Sequence, residues 1–223
     1  MAAFPLMLPG TSRPPKLVVF DLDHTLIACD ATILWTEFLY EKKIVTDPIW
    51  RQYDRDMVKS YAKGVLDIRD FCRKHAGAFR SIPEEKLHAL AQEFAKKKIA
   101  PLIFPDGKKW AKNALQANIP ACVLSASAAF IVKPIAKLFG LTDAMGIELA
   151  FKDGFCTGEI VGIPTFQEGK VERLSERLAE AGIGFEDVLF FTDSRNDLPL
   201  AERAGYTVCV NPDAVLESAA RKN

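Results

Sequence analysis

The residues best suited to chemistry cluster in the short segment Asp21-Leu-Asp23-His-Thr25. Side chains alternate along extended backbone, so carboxylates two positions apart can point toward one small volume. Two close carboxylates repel, and a protein tolerates them where a cation or a proton compensates. A Mg2+ ion supplies that compensation with few protein ligands, because waters and a substrate phosphate complete its oxygen octahedron. The competing reading of the same residues is a solvated loop that caps the next helix through Asp or Thr.

Further reactive groups follow at three later places. Val123-Leu-Ser125 ends a short apolar run with a hydroxyl, Gly169-Lys170 opens a helical pattern with a lone cation, and Asp193-Ser-Arg-Asn196-Asp197 follows the apolar run 188–191. Singly, these read as a helix cap, a surface lysine and a capped helix start. Their joint occurrence after separate apolar runs favours one shared site.

The elements that must position them follow from the apolar spacing. Residues 16–20 are a β-branched and aromatic run, which reads as a buried strand ending at Asp21. From 31 to about 98, apolar residues recur at helical spacing through Ile33, Leu34, Phe38 and Leu39 and again through Leu87, Leu90, Ala91 and Phe94, which predicts four helices and no strand. Alternation then resumes, with a helix over 107–118, a strand over 120–124 and a helix over 128–139. A hairpin has arms near 147–151 and 155–161 and turns at Lys152-Asp153-Gly154. A helix over 169–181, a strand over 188–191, a helix over 198–204, a strand over 206–210 and a last helix over 214–221 complete the chain. This rhythm implies an α/β fold with a mainly parallel, Rossmann-like sheet covered on both faces. The expected division is a tail over 1–15, an α/β core over 16–30 and 100–223, and a helical cap over 31–99. Ligands on such sheets sit at the carboxyl ends of the strands, so the inserted helices would stand over that edge as a lid.

Composition narrows the function classes. With 223 residues, 49% of them hydrophobic, the chain can bury a substantial core. Its 29 Lys+Arg balance 29 Asp+Glu, so no long-range field draws it to nucleic acid or an anionic membrane, and a small-molecule partner fits better. The five cysteines are scattered without C-x-x-C spacing, which suggests reduced thiols in a cytoplasmic protein. The opening segment has no cationic start and no apolar run of signal-peptide length, and no run approaches a membrane span. Gly169-Lys170 is followed by Val171 and lacks the spaced first glycine of a P-loop. His24, His75 and His88 have no metal-ligand spacing, and no serine lies in a G-x-S-x-G elbow.

The Asp-x-Asp-x-Thr form of residues 21–25 resembles the opening motif of the haloacid dehalogenase superfamily, and the three later segments fall where that superfamily carries its remaining motifs. The insertion after the first motif resembles the phosphoserine phosphatase branch, subfamily IB. The chain is similar to bacterial hydrolases of that branch, some associated with histidinol phosphate, through Phe20-Asp-Leu-Asp-His-Thr-Leu26, Phe166-Gln-Glu-Gly-Lys-Val171 and Thr192-Asp-Ser-Arg-Asn-Asp-Leu-Pro-Leu200. This resemblance covers nearly all the chain after Pro15. It implies a Mg2+-dependent phosphatase in which Asp21 is the nucleophile forming an aspartyl-phosphate, and Asp23 protonates the leaving group and later activates water. Ser125 and Lys170 would hold the phosphoryl group. Mg2+ would be bound by Asp21, the Asp23 backbone carbonyl and Asp193, and Asn196 and Asp197 would orient Lys170 or a metal-bound water. Asp30 stands nine positions after Asp21, where phosphoserine phosphatases carry a glutamate that reads the substrate amine. An amine-bearing ester such as histidinol phosphate or phosphoserine is therefore expected, with Asp30 as helix cap the rival reading. Arg51, Arg55, Arg69 and Arg73 are candidates for a substrate carboxylate. A phosphotransferase with the same intermediate and a phosphatase of lipid-derived esters are the alternatives. Thr192 departs from the pattern, since many relatives have glycine there, and its side chain is expected to crowd the loop.

Overall fold

The computed structural model describes Leu8 and residues 13–222, so most of the tail expected over 1–15 lies outside the described residues. Strand β1 (Leu17–Phe20) is buried at every position and occupies the middle of a parallel five-stranded sheet. Its neighbours are β2 (Ala121–Ala128) on one side and β6 (Val188–Thr192) on the other, with β3 (Asp143–Ile147) and β7 (Tyr206–Cys209) at the edges. Register pairs Phe20 with both Val123 and Phe191, so β1 and β6 end at nearly one level while β2 runs on past it to Ala128. Side-chain alternation divides the inner strands between two cores. Val18, Phe20, Val123, Leu189 and Phe191 face one, and Leu17, Val19, Leu124, Val188 and Phe190 face the other.

Between β1 and β2 lie helices α1 (Ala31–Glu41), α2 (Ile49–Ala62), α3 (Ile68–His75) and α4 (Glu84–Phe94), and then α5 (Pro105–Gln116). Capping explains several starts: Asp30 accepts from the Ile33 N–H, Asp67 accepts from those of Arg69 and Asp70, and Pro105 stands at the first turn of α5, where a missing N–H costs nothing. Trp35 of α1 meets Phe94 of α4 edge-on at 5.4 Å between centroids, and Phe130 of α6 (Ala129–Ala136) at 5.5 Å. This aromatic cluster seats α1 and α4 on the same core as one face of the sheet.

The remaining elements are the antiparallel hairpin β4 (Leu149–Lys152) and β5 (Phe155–Ile160), then α7 (Glu168–Ala181), α8 (Leu198–Ala201) and α9 (Ala214–Ala220). Asp153 and Gly154 turn the hairpin with positive φ at both positions, as the Asp-Gly pair favours. The expected hairpin arm beginning at Ile147 starts instead at Leu149. Residues 143–147 form the separate strand β3, paired with β2, which the sequence reading did not anticipate. Asp, Ala and Gly supply three of its five residues, so intrinsic strand propensity was weak and the sheet edge imposed the conformation. All five cysteines are free thiols, and no helix among the described residues is long and apolar enough to cross a membrane.

Three helices of the insertion meet at a buried polar knot. The Thr36 hydroxyl lies 2.9 Å from His75 Nε2, which is 3.5 Å from Asp54 Oδ1, and neither Asp54 oxygen meets a well-aligned donor. Burial, helped by repulsion from Asp30 and Glu37, raises the Asp54 carboxyl to about 7, and burial lowers His75 to about 4. The folded state thus keeps a proton on Asp54 that the unfolded chain releases above roughly pH 4. Its contribution to stability is intact below that pH and declines as pH rises to about 7. His75 acts with the opposite sign, its contribution recovering as pH rises from about 4 to 6.5. Asp54→Asn removes only the first of these. We expect it to stabilise the fold at pH 8 by about 1–2 kcal/mol, and by less than half of that at pH 5, in denaturant titrations. Equal effects at both pH values would show that Asp54 does not carry the buried proton.

Candidate active site

Strand order dictates where the site forms. From β1 the chain moves outward to β2 and β3, then returns across the sheet to β6 on the other side of β1. The loop after β1 therefore sits at the switch point, where the flanking connections diverge and leave a crevice. Asp21 occupies that position, its N–H bonded to the Phe191 carbonyl at 2.9 Å and its residue 6% exposed.

Lys170 reaches the same place from the first turn of α7. Its ammonium, 1% exposed, lies 2.7 Å from Asp21 Oδ1 and 2.7 and 2.8 Å from the two oxygens of Asp197, itself 1% exposed. Burial opposes the lysine charge, but the two carboxylates outweigh it and hold its pKa above the ordinary value. The residue before it must be glycine, because a Cβ at 169 would lie 1.9 Å from the Pro164 carbonyl oxygen. That close turn sets Lys170 deep enough to bridge the two acids. Thr192 does not crowd the loop as expected: its buried hydroxyl donates to Asp197 Oδ2 at 2.7 Å and accepts from the Ser194 N–H. It therefore fixes the second oxygen-bearing partner of Lys170.

Three more carboxylates share the space with Asp21. Asp21, Asp23, Asp30 and Asp193 all line a cavity of about 190 Å³ closed on its far side by α2 and α3. Burial, then the charge of nearby Asp21, raises Asp193 to about 8, and burial raises Asp21 to about 6 against the pull of Lys170. Asp23 is raised well above the usual carboxylate range by burial, then by Asp30 and Asp21. Its Oδ1 accepts from the Ala31 N–H at 2.7 Å and its Oδ2 from the Ser127 hydroxyl at 2.9 Å. A divalent cation held by oxygen would relieve this mutual repulsion. Among the described residues no three acidic, imidazole or thiol side chains form a ligand cluster, and a hard ion such as Mg2+ takes few protein ligands and keeps waters. The carboxylates of Asp21 and Asp193 are the side chains suited to that, and the Thr25 hydroxyl steadies Asp193 Oδ1 at 3.5 Å.

The other expected residues fall out differently. Ser125 is fully buried and does not line the cavity; its hydroxyl accepts from the Ser127 N–H at 3.1 Å. Ser127, two positions on, faces the cavity and touches Asp23, a residue that sequence reasoning missed because β2 continues past Leu124 to Ala128. Asn196 does not touch Lys170. Its amide donates to the Tyr61 carbonyl at the end of α2 and accepts from Gln167 Nε2, which also reaches the Gly64 carbonyl. Gln167 makes this clasp from a strained backbone, φ 48° and ψ −124°. Asp30 both caps α1 and lines the cavity, while His24 is exposed at its rim.

Comparison with known proteins bears on this arrangement. A family model described as haloacid dehalogenase-like hydrolase matches residues 18–202. A curated relative named histidinol-phosphatase, from Neisseria meningitidis serogroup C (strain 8013), is 34% identical over 211 residues, spanning 93% of this chain and 95% of its own. A Bordetella pertussis Tohama I protein described as of unknown function has a solved structure alike at TM-score 0.84 and 30% identity, over 93% of this chain and 95% of that one. A substrate-bound phosphoserine phosphatase complex, at 22% identity and TM-score 0.69 over 93% and 91% of the two chains, shares the fold.

The Thr192 hydroxyl gives a direct test of the buried network. Thr192→Val keeps the shape and deletes the short donor bond to Asp197 together with the longer bond accepted from the Ser194 N–H, which should cost about 1–2 kcal/mol of stability in urea titrations. A loss below about 0.5 kcal/mol would show that Asp197 needs no second donor.

Proposed function

The chain belongs to the haloacid dehalogenase-like hydrolase family and is a phosphatase, and within that class we propose a Mg2+-dependent phosphomonoesterase that works through an aspartyl-phosphate on Asp21 and acts on a small, amine-bearing phosphorylated metabolite of the histidinol phosphate or phosphoserine type. The observation that carries this reading is the buried salt link of Lys170 to Asp197 and to Asp21, the latter lining a cavity together with Asp23, Asp30 and Asp193. Lys170 keeps Asp21 ionised against the burial that resists its charge, so an oxygen nucleophile stands ready in a dry site. Asp21, the Asp23 main-chain carbonyl and Asp193 would hold Mg2+, which when bound would supply positive charge to offset that of the phosphoryl oxygens.

In the first half-reaction an Asp21 oxygen forms a bond to phosphorus as the bond to the ester oxygen breaks in line with it. Asp23, whose protonated form is favoured by burial and by the nearby charges of Asp30 and Asp21, gives its proton to the departing alkoxide. In the second, water bonds to phosphorus, Asp23 takes the water proton, and the acyl-phosphate bond returns its electrons to Asp21. We assign the substrate-facing hydroxyl to Ser127 in preference to Ser125, because Ser127 lines the cavity and donates to Asp23. Ser125 supports it from behind through the Ser127 N–H. Asp30 would face the substrate ammonium with the oxygen not used in capping α1.

The division into a core (16–30 and 100–223) and a helical cap (31–99) fits this chemistry. The α2 and α3 end of the segment covers the cavity, and the α1 and α4 end is fixed to the shared core. Asn196 and Gln167 clasp the end of α2 to the Asp193 loop, so closure of the cap and assembly of the site go together. A cavity of about 190 Å³ suits a small metabolite over a lipid-derived ester.

Phosphate release from p-nitrophenyl phosphate tests the reaction. It should require Mg2+, stop with EDTA, and fall at least about a thousandfold in Asp21→Asn; retention of activity in that variant would exclude the covalent route. Ser127→Ala should lower kcat by about tenfold or more, and Ser125→Ala by less. The amine reading is tested by Asp30→Ala, which should lose more activity on amine-bearing esters than on an amine-free ester. An equal loss on both would reject it.

A further inference from the structure

The cavity is acidic at one end and apolar at the other, and among the described residues its lining contains no lysine or arginine. The acidic end is formed by Asp21, Asp23, Asp30 and Asp193. The opposite wall is Met57 and Val58 of α2, Leu66 of the following loop, and Ile68 and Phe71 of α3. His24 at the rim is the one imidazole there.

Each arginine of the insertion that could have served a substrate carboxylate is committed elsewhere. Arg51 forms a two-point pair with Glu37, both contacts 2.7 Å, and stacks on Tyr40 at 3.8 Å from the ring centre. Arg55 bonds Gln52, Arg69 reaches the Gly162 carbonyl, and Arg73 pairs with Glu159. Arg195 packs its guanidinium beside Gly64 and does not line the cavity.

We infer that this site selects amino-alcohol phosphates that carry no carboxylate. The inference rests on the phosphatase reading above and narrows it. In an O-phosphoamino acid the carboxylate is bonded to the same carbon as the amine, two bonds from the ester oxygen. With phosphorus against Asp21 and the ammonium toward Asp30, that carboxylate has to enter the same small cavity. There it meets either further carboxylates or the apolar wall, with no lysine or arginine side chain to replace its hydration. A methyl group or a larger apolar or aromatic substituent in that place instead packs on Met57, Ile68 and Phe71 and gains from burial. Phosphoserine is thus the disfavoured member of the substrate pair, and an amino-alcohol phosphate with a neutral side group is the favoured one.

The test compares O-phosphoserine with 2-aminopropyl phosphate of matching configuration, in which a methyl replaces the carboxylate, alongside p-nitrophenyl phosphate. We expect kcat/KM for the aminopropyl ester to exceed that for phosphoserine by at least about tenfold. In Leu66→Arg, which brings a cation to the cavity wall from a loop, that ratio should shrink. Phosphoserine turned over as well as or better than the aminopropyl ester overturns the inference, and so does a ratio that Leu66→Arg leaves unchanged. If p-nitrophenyl phosphate is hydrolysed and neither amine ester is, the amine reading fails and takes this one with it. If none of the three is hydrolysed, the phosphatase reading itself fails.

Discussion

Burying an ammonium among carboxylates is the constraint around which the molecule is arranged. Lys170 is nearly without solvent, and such a charge persists only when its partners are in place. Those partners come from different parts of the chain: Asp21 from the end of β1 and Asp197 from the turn after β6. Neither strand can shift in register without leaving the lysine unpaired. The parallel pairing of Phe20 with Phe191, the tight turn at Gly169 and the Thr192 hydroxyl serve one requirement, that three charges meet.

The same constraint explains why the helical insertion has two unlike ends. Trp35, Phe94 and Phe130 fuse α1 and α4 to the core through aromatic contacts, which keep Asp30 and Ala31 fixed over Asp23. Helices α2 and α3 contribute the apolar side of the cavity and are linked to Asn196 and Gln167 through the backbone carbonyls of Tyr61 and Gly64. Excluding water from a site rich in carboxylates strengthens every charge interaction inside it, including the link between Lys170 and Asp21.

Much of this was legible in the sequence because it is written in local patterns. The apolar runs 16–20 and 188–191 are buried on both faces, so they read as continuous strands, and the reactive residues sit directly after them. What local pattern could not show was three-dimensional choice. β3 lacks strand-forming residues and owes its form to the edge of β2. Ser125 and Ser127 are equally plausible in a string of small residues, and only the length of β2 decides which one faces the cavity. Arg51, Arg55, Arg69 and Arg73 looked alike until each one's partner was visible. Thr192 is the reverse case: an apparent obstruction in the sequence that the fold uses as a donor.

The account stands on an oxygen of Asp21 becoming covalently bonded to phosphorus. Its most direct measurement is rapid acid quenching during turnover of a phosphomonoester with Mg2+, followed by peptide mass spectrometry. The account predicts one hydroxylamine-labile phosphoryl group on the peptide containing residue 21, at Asp21 itself. Steady turnover with the phosphoryl group on another residue, or with no adduct at any quench time and solvent oxygen entering phosphate directly, would contradict it.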